Sequence, residues 1–163
     1  MAGFIPGRIV GGSTPELDLA EQKSWQNYLA TTLRMNAVLN RELADTHELS
    51  LADVQLLALL DGGPVEGLQM GDLADALPSP PSRLTRQIRR LEGRGLVTRA
   101  ASPQDRRRVL ASITEAGRTL VEQALITYES AVRTHFLGPL TRPQITAMAA
   151  SCLQISDGLK DSK

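Results

Sequence analysis

The stretch from Ser79 to Val97 reads SPPSRLTRQIRRLEGRGLV, and its reading decides the fold. Ser79 predicts an N-cap, because its hydroxyl can accept from an amide of the first turn. Pro80 and Pro81 fit that turn, where amides have no intrahelical partner, and Gly93 or Gly95 ends the helix. At about 100° per residue, Leu84, Ile88 and Leu91 fall within about 60° of one another. That face packs inward. The opposite face presents Ser82, Arg86 and Arg89, flanked by Arg83, Thr85 and Arg90, so nearly every outward side chain is a hydrogen-bond donor. A helix of this kind suits the major groove of DNA, where arginine pairs with the guanine edge and Ser or Thr reaches bases or phosphates. Arg83 and Arg86 are the best candidates for base readers.

The charge distribution agrees with this reading. The chain of 163 residues has a formal net charge of zero. Between Arg83 and Arg108, however, nine arginines face only Glu92 and Asp105, a local charge of +7 that leaves −7 for the rest. A binding face needs a local excess and not a net one. All nine are arginines, whose planar fork matches phosphate and guanine, whereas a solvated basic surface, the plainer alternative, usually mixes Lys with Glu.

Outward from this helix, Leu96 to Arg99 and the alternating Val109, Ala111 and Ile113 predict a two-stranded antiparallel hairpin, with Ser102-Pro103-Gln104-Asp105 as turn material. At its tip, Asp105 lies two residues before Arg107. The carboxylate can hold that guanidinium while part of it enters a minor groove, or the pair can be a self-contained surface salt bridge. Upstream, residues 1–14 are Gly-rich with a Pro and predict a loose arm. From about Pro15 to Thr46, Trp25, Leu29, Leu33, Leu39 and Leu43 recur at helical spacing and predict a long amphipathic helix. Ser50 and Asp53 resemble a capping box with Asp in place of Glu, opening a short buried helix that Gly62-Gly63-Pro64 breaks. Met70 to Leu77 predicts two helical turns, with Leu73, Ala74 and Leu77 on one side.

Downstream, Thr114 caps a helix carrying Leu120, Val121, Leu125, Tyr128 and Val132 that ends at Gly138-Pro139, and Thr141 with Gln144 opens a last one. There Ile145, Met148, Cys152, Ile155 and Leu159 step by three and four, the narrow seam of a helix that packs on another helix. Pairing with a second chain and ordinary packing within one chain both satisfy that spacing.

Together these strings resemble the MarR family of transcription regulators. The resemblance covers roughly Ala20 to Lys160. It rests on Leu73-Ala74, Leu84-Thr85-Arg86, the run from Arg90 to Val97, Asp105-Arg106-Arg107, and Thr114-Glu115-Ala116-Gly117. It implies a mainly α fold with a small antiparallel hairpin, a winged helix-turn-helix over residues 50–114 flanked by helical dimerisation regions at 15–46 and 115–163. It implies a homodimer held by the first and last helices, with Leu17 and Leu19 joining the seam from Ile145 to Leu159, on a pseudo-palindromic double-stranded operator. Helix 79–94 then lies in the major groove and the 99–108 wing in the minor groove, where Asp105 positions Arg107. Repression and release by a small-molecule effector are the family's habit, and Trp25, Tyr28 and Arg34 could line an effector pocket, although core or interface roles suit the two aromatics as well. The run Pro78-Ser79-Pro80-Pro81 departs from the family's less proline-rich turn.

Other function classes find little support. His47 and His135 stand far apart near helix ends, where a cation is favourable. The Gly pairs lack phosphate-loop or dinucleotide patterns. The lone Cys152 allows neither an intramolecular disulfide nor a cysteine zinc cage, and its place on an apolar seam predicts a small core residue rather than an oxidant sensor. We therefore expect no enzyme, cofactor or metal, and a cytoplasmic location, since no signal or membrane segment is evident. A winged helix that binds another protein instead of DNA is the remaining alternative.

Overall fold

The computed structural model describes residues 16–160 except Pro78, Gln104, Arg106 and Arg107. The arm expected at 1–14 lies outside the described residues. Element order is α1 (Leu19–His47), α2 (Leu51–Asp61), β1 (Leu68–Gln69), α3 (Met70–Ala76), α4 (Pro81–Gly93), β2 (Val97–Ala101), β3 (Val109–Ile113), α5 (Glu115–Val132), a π-helical turn (Arg133–Leu137) and α6 (Arg142–Lys160). Among the described residues no helix is long and apolar enough to cross a membrane.

Two compact units are distinguished, one ending at Leu33 and one beginning at Arg34. In the first, the helix expected from about residue 15 begins at Leu19. The reason is Asp18, whose carboxylate accepts from the amides of Ala20 (2.7 Å) and Glu21 (2.9 Å) while Glu21 accepts from the Asp18 amide (2.8 Å). That is a capping box with Asp as the cap. Trp25 and Tyr28 stack at 5.9 Å and are exposed, as are Leu29 and Leu33.

The second unit holds the core. Leu43, Leu56, Leu57, Leu73, Leu84, Ile88, Leu91 and Val121 are fully buried there together with Val97 and Ala111 of the sheet. α2 begins at the capping box read from Ser50 and Asp53, and Gly62 caps its far end. The hairpin of β2 and β3 is present, pairing Val97 with Ile113 through Ala101 with Val109. It is extended by a third strand that the sequence does not announce, giving the order β1-β3-β2. β1 pairs Leu68 with Ala111 and Gln69 with Leu110, and two residues are too few to show an alternation. The inward alternation expected for β3 holds at Ala111 and Ile113 but not at Val109, which is exposed at the hairpin's outer end.

The string Thr114-Glu115-Ala116-Gly117 joins this sheet to α5. The Thr114 hydroxyl accepts from the Gly117 amide (3.0 Å) and donates to the Gly95 carbonyl (2.7 Å), so the cap also ties the start of α5 to the exit of α4. A Cβ on Gly117 would stand 2.3 Å from the Leu96 carbonyl oxygen and 2.8 Å from Ile113 Cγ1, closer than atoms approach without displacement. Glycine is required there by proximity and not by backbone angle. Gly117→Ala is accordingly expected to cost about 1–3 kcal/mol in urea unfolding, the range of an overpacked core. Gly71→Ala, in α3 with open space around it, should be neutral or slightly stabilising in the same assay.

Candidate nucleic-acid interface

The N-terminus of α4 differs from its sequence reading. Ser79 is not the cap: Pro80 occupies that position, makes no side-chain bond, and offers its carbonyl to the amides of Arg83 (2.9 Å) and Leu84 (3.1 Å). Each proline disfavours helical geometry in the residue before it, and Pro80 itself is extended (ψ 143). The helix can therefore begin only at Pro81, and it runs to Gly93 instead of spanning 79–94. Ser79 Oγ is buried with no hydrogen-bond partner among the described residues, so it is not poised as a surface donor.

Beyond that turn the wheel holds. Leu84, Ile88 and Leu91 are buried, and Ser82, Arg83, Arg86 and Arg89 are exposed. None of these three arginines forms an ion pair with the described residues. Thr85 is half-buried, and its hydroxyl donates to the Pro81 carbonyl at 2.9 Å, which makes it a weaker candidate for a base contact.

Arg90 is different. Its guanidinium donates to Asp53, which lies on the first turn of α2 and is 1% exposed, while the arginine side chain is 49% exposed. The same Oδ1 accepts from Gln87 Nε2 (3.0 Å), and Oδ2 accepts from the Ser50 amide (2.9 Å) and hydroxyl (2.7 Å). Burial alone would push the Asp53 carboxyl up, but the bonds from Arg90, Ser50 and Gln87 together outweigh it and hold it below its ordinary value. This buried carboxylate closes one side of a 310 Å³ depression lined by Ser50, Ala52, Arg83, Arg86, Gln87 and Arg90. Asp53 and Gln87 were not read as site residues. A signal existed for the first: Asp53 shares a helical stripe with Leu56, Leu57 and Leu60, and a carboxylate on an apolar stripe must find partners.

The remaining arginines of the basic segment divide in the same way. Arg94 donates to the Glu48 carbonyl (2.7 Å), Arg99 grips Glu92 through two nitrogens (2.9 and 2.6 Å), and Arg108 donates to Gln69 (2.8 Å). Arg108 Nε also lies 3.4 Å from Asp105. Arg106 and Arg107, and with them the expected hold of Asp105 on Arg107, lie outside the described residues. Four arginines thus serve the fold at least in part, and Arg83, Arg86 and Arg89 project from the outer face of α4.

The other residues singled out by sequence are placed as follows. Leu17 and Leu19 are exposed. On α6, Ile145 and Met148 are half-buried, whereas Cys152, Ile155 and Leu159 are exposed. The core reading of Cys152 is therefore corrected, because none of the described residues covers the distal part of the seam. Trp25 and Tyr28 are likewise not core residues, at 54% and 52% exposure, and Arg34 is exposed. His47 Nε2 lies 2.8 Å from Thr127 Oγ1 and His135 Nε2 lies 3.0 Å from Glu42 Oε1, so both make structural contacts.

Comparison with known proteins places this architecture. Residues 47–108 match the model of the MarR family. Over 78 residues, 48% of its length, the chain is 37% identical to the organic hydroperoxide resistance transcriptional regulator of Bacillus subtilis, and the match spans about half (53%) of that relative. It is similar to AbsC, a MarR family transcriptional regulator from Streptomyces coelicolor (28% identity, TM-score 0.83, covering 91% of this chain and 99% of that one). It is also similar to Sco3205, a MarR family regulator from the same organism solved in complex with DNA (27% identity, TM-score 0.84, covering 90% and 92%).

The lowered Asp53 value fixes the direction of a pH effect. A carboxylate whose folded value lies below its unfolded one contributes stability that is full above the unfolded value and is lost as pH falls through the folded one. Asp53→Asn should therefore lower the melting temperature at pH 7. Its deficit relative to wild type should shrink as the pH is taken below about 4, the ordinary carboxylate value; a deficit constant from pH 7 to pH 3 would contradict the assignment.

Proposed function

We propose that the chain, whose residues 47–108 match the MarR family model, is a member of that family and a sequence-specific double-stranded DNA-binding transcription regulator acting as a homodimer. The observation that carries this reading is the outer face of α4, where Arg83, Arg86 and Arg89 are exposed and unpaired among the described residues while Leu84, Ile88 and Leu91 anchor the opposite face. Rigid placement of bidentate donors on one helix face is what reading of a major groove needs. We assign Arg83 and Arg86 to base edges, Ser82 and Arg89 to flanking bases or phosphates, Arg90 to the edge of the same face as a donor held by Asp53, and the hairpin tip with Asp105, Arg106 and Arg107 to the minor groove. Ser79 and Thr85 are left with supporting roles at the start of the helix.

Residues 50–114 form the DNA-binding portion in this reading, and the helical regions 15–46 and 115–163 serve dimerisation. Ile145, Met148, Cys152, Ile155 and Leu159 supply one seam, with Leu17 and Leu19 as further apolar contacts. Two α4 helices related by a two-fold axis would then enter successive major grooves about 34 Å apart, so the operator is pseudo-palindromic. We assign the protein to the cytoplasm as a repressor without enzymatic activity. A small-molecule effector would find a flat apolar surface in the exposed Trp25–Tyr28 stack.

The test is binding of the full chain to a duplex selected from a randomised library, compared with random DNA. Arg86→Ala is expected to cost about 1–3 kcal/mol and to relax base choice, and Arg107→Ala to weaken binding through the wing. Unchanged affinity in both variants would overturn the site assignment, and the absence of any selected sequence would favour a protein-binding winged helix. For the dimer, sedimentation should give twice the 17.6 kDa chain mass, and replacing Ile155 and Leu159 together by Glu should return the single mass.

A further inference from the structure

We propose that Asp53 is a positioning residue for DNA recognition, setting the register of α4 and withholding the charge of Arg90 from non-specific phosphate binding. The inference rests on the DNA-binding reading of α4 and adds to it a residue on another helix that governs selectivity.

Apolar burial by itself does not fix the rotation of a helix well. Leu84, Ile88 and Leu91 set which face of α4 turns inward, but hydrophobic contact is non-directional and does not by itself specify the exact angle at which Arg83 and Arg86 meet base edges. Hydrogen bonds to a charged acceptor are directional and strong. Asp53 provides two of them, from Gln87 and from Arg90, which lie three residues apart on the same side of α4. The acceptor is itself immobile: its second oxygen is held by the Ser50 amide and hydroxyl within the first turn of α2, and the side chain is almost fully buried. The clamp therefore transmits the position of α2 directly to the groove side of α4.

Its second effect is electrostatic. Arg90 stands four residues after Arg86 and seven after Arg83, so it shares their side of the helix and borders the same depression. Left unpaired, it would extend a cationic stripe that attracts any DNA backbone. Paired with a buried carboxylate it contributes a directed donor with its net charge cancelled. Selectivity is the ratio of specific to non-specific binding, and Asp53 acts on both sides of it.

The experiment uses the full chain with two duplexes, the one the wild type selects from a randomised library and one of random sequence, over a series of salt concentrations and well below the melting temperature. In Asp53→Asn the selectivity ratio should fall about tenfold or more, and the dependence of non-specific binding on log salt should steepen by up to about one, since one more cation is available to phosphate. Gln87→Met loosens the clamp with no change of charge, and is expected to lower the ratio while leaving the salt dependence as in wild type. It also keeps the inference open to refutation if Asp53→Asn fails to fold. Folded Asp53→Asn and Gln87→Met proteins that keep the wild-type ratio and salt dependence, with only the melting temperature lowered, would reduce Asp53 to a structural role and overturn the inference. A wild-type protein that selects no sequence would instead overturn the DNA-binding reading beneath it.

Discussion

Everything at the candidate interface depends on the burial of one apolar stripe on α4. Leu84, Ile88 and Leu91 are removed from solvent completely, and each such side chain contributes about 1.5–3 kcal/mol. Against this stand like-charge contacts among Arg83, Arg86 and Arg89, which on a helix surface cost only about 0.2–0.5 kcal/mol per pair. Burial wins by a wide margin, so the helix can carry a dense cationic face that it would not sustain alone. The same three residues determine which arginines point away from the core.

The basic segment is then sorted by what lies beside each arginine. A uniform +7 in sequence becomes, in three dimensions, a set of arginines tied to Asp53, Glu48, Glu92, Gln69 and Asp105, and a trio on α4 that faces outward. Arg99 and Glu92 join β2 to α4, and Arg94 joins the end of α4 to the loop before α2. These ties join the hairpin and the loop before α2 to α4, and a helix held by its neighbours can turn donors into readers of sequence. The pairing of Arg90 is the most consequential, because its acceptor is buried and the arginine is not.

Much of this was legible in the chain because it is local. The capping box at Ser50, the bonds of Thr141 to Gln144, the cap at Thr114, the wheel of α4 and the hairpin all follow from patterns within a few residues of one another. What escaped sequence reading is either too short or too distant. β1 has two residues and exists only because β3 offers it an edge. Asp53 reaches α4 across more than thirty residues, and no spacing rule connects them. The start of α4 departs from the local signal because Ser79 is a good cap in isolation, and the two prolines after it override that preference by forcing extended backbone. Asp18 and Glu21 carry the same local signal as Ser50 and Asp53.

The fate of α6 shows how far one chain can account for its own sequence. None of its nineteen residues is buried, yet Ile155 and Leu159 are 56% and 68% exposed on a seam whose first members, Ile145 and Met148, are half-covered. In a protein, most of a helix's stability comes from packing an apolar face. The other described residues leave this seam open, and a second copy would offer the same seam in return, as a two-fold interface requires. Cys152 is exposed on the same seam, at a position that a partner helix would cover if two copies paired there. Pairing through α6 would also give the two α4 helices a fixed relation to each other, without which two half-sites could not be read as one operator.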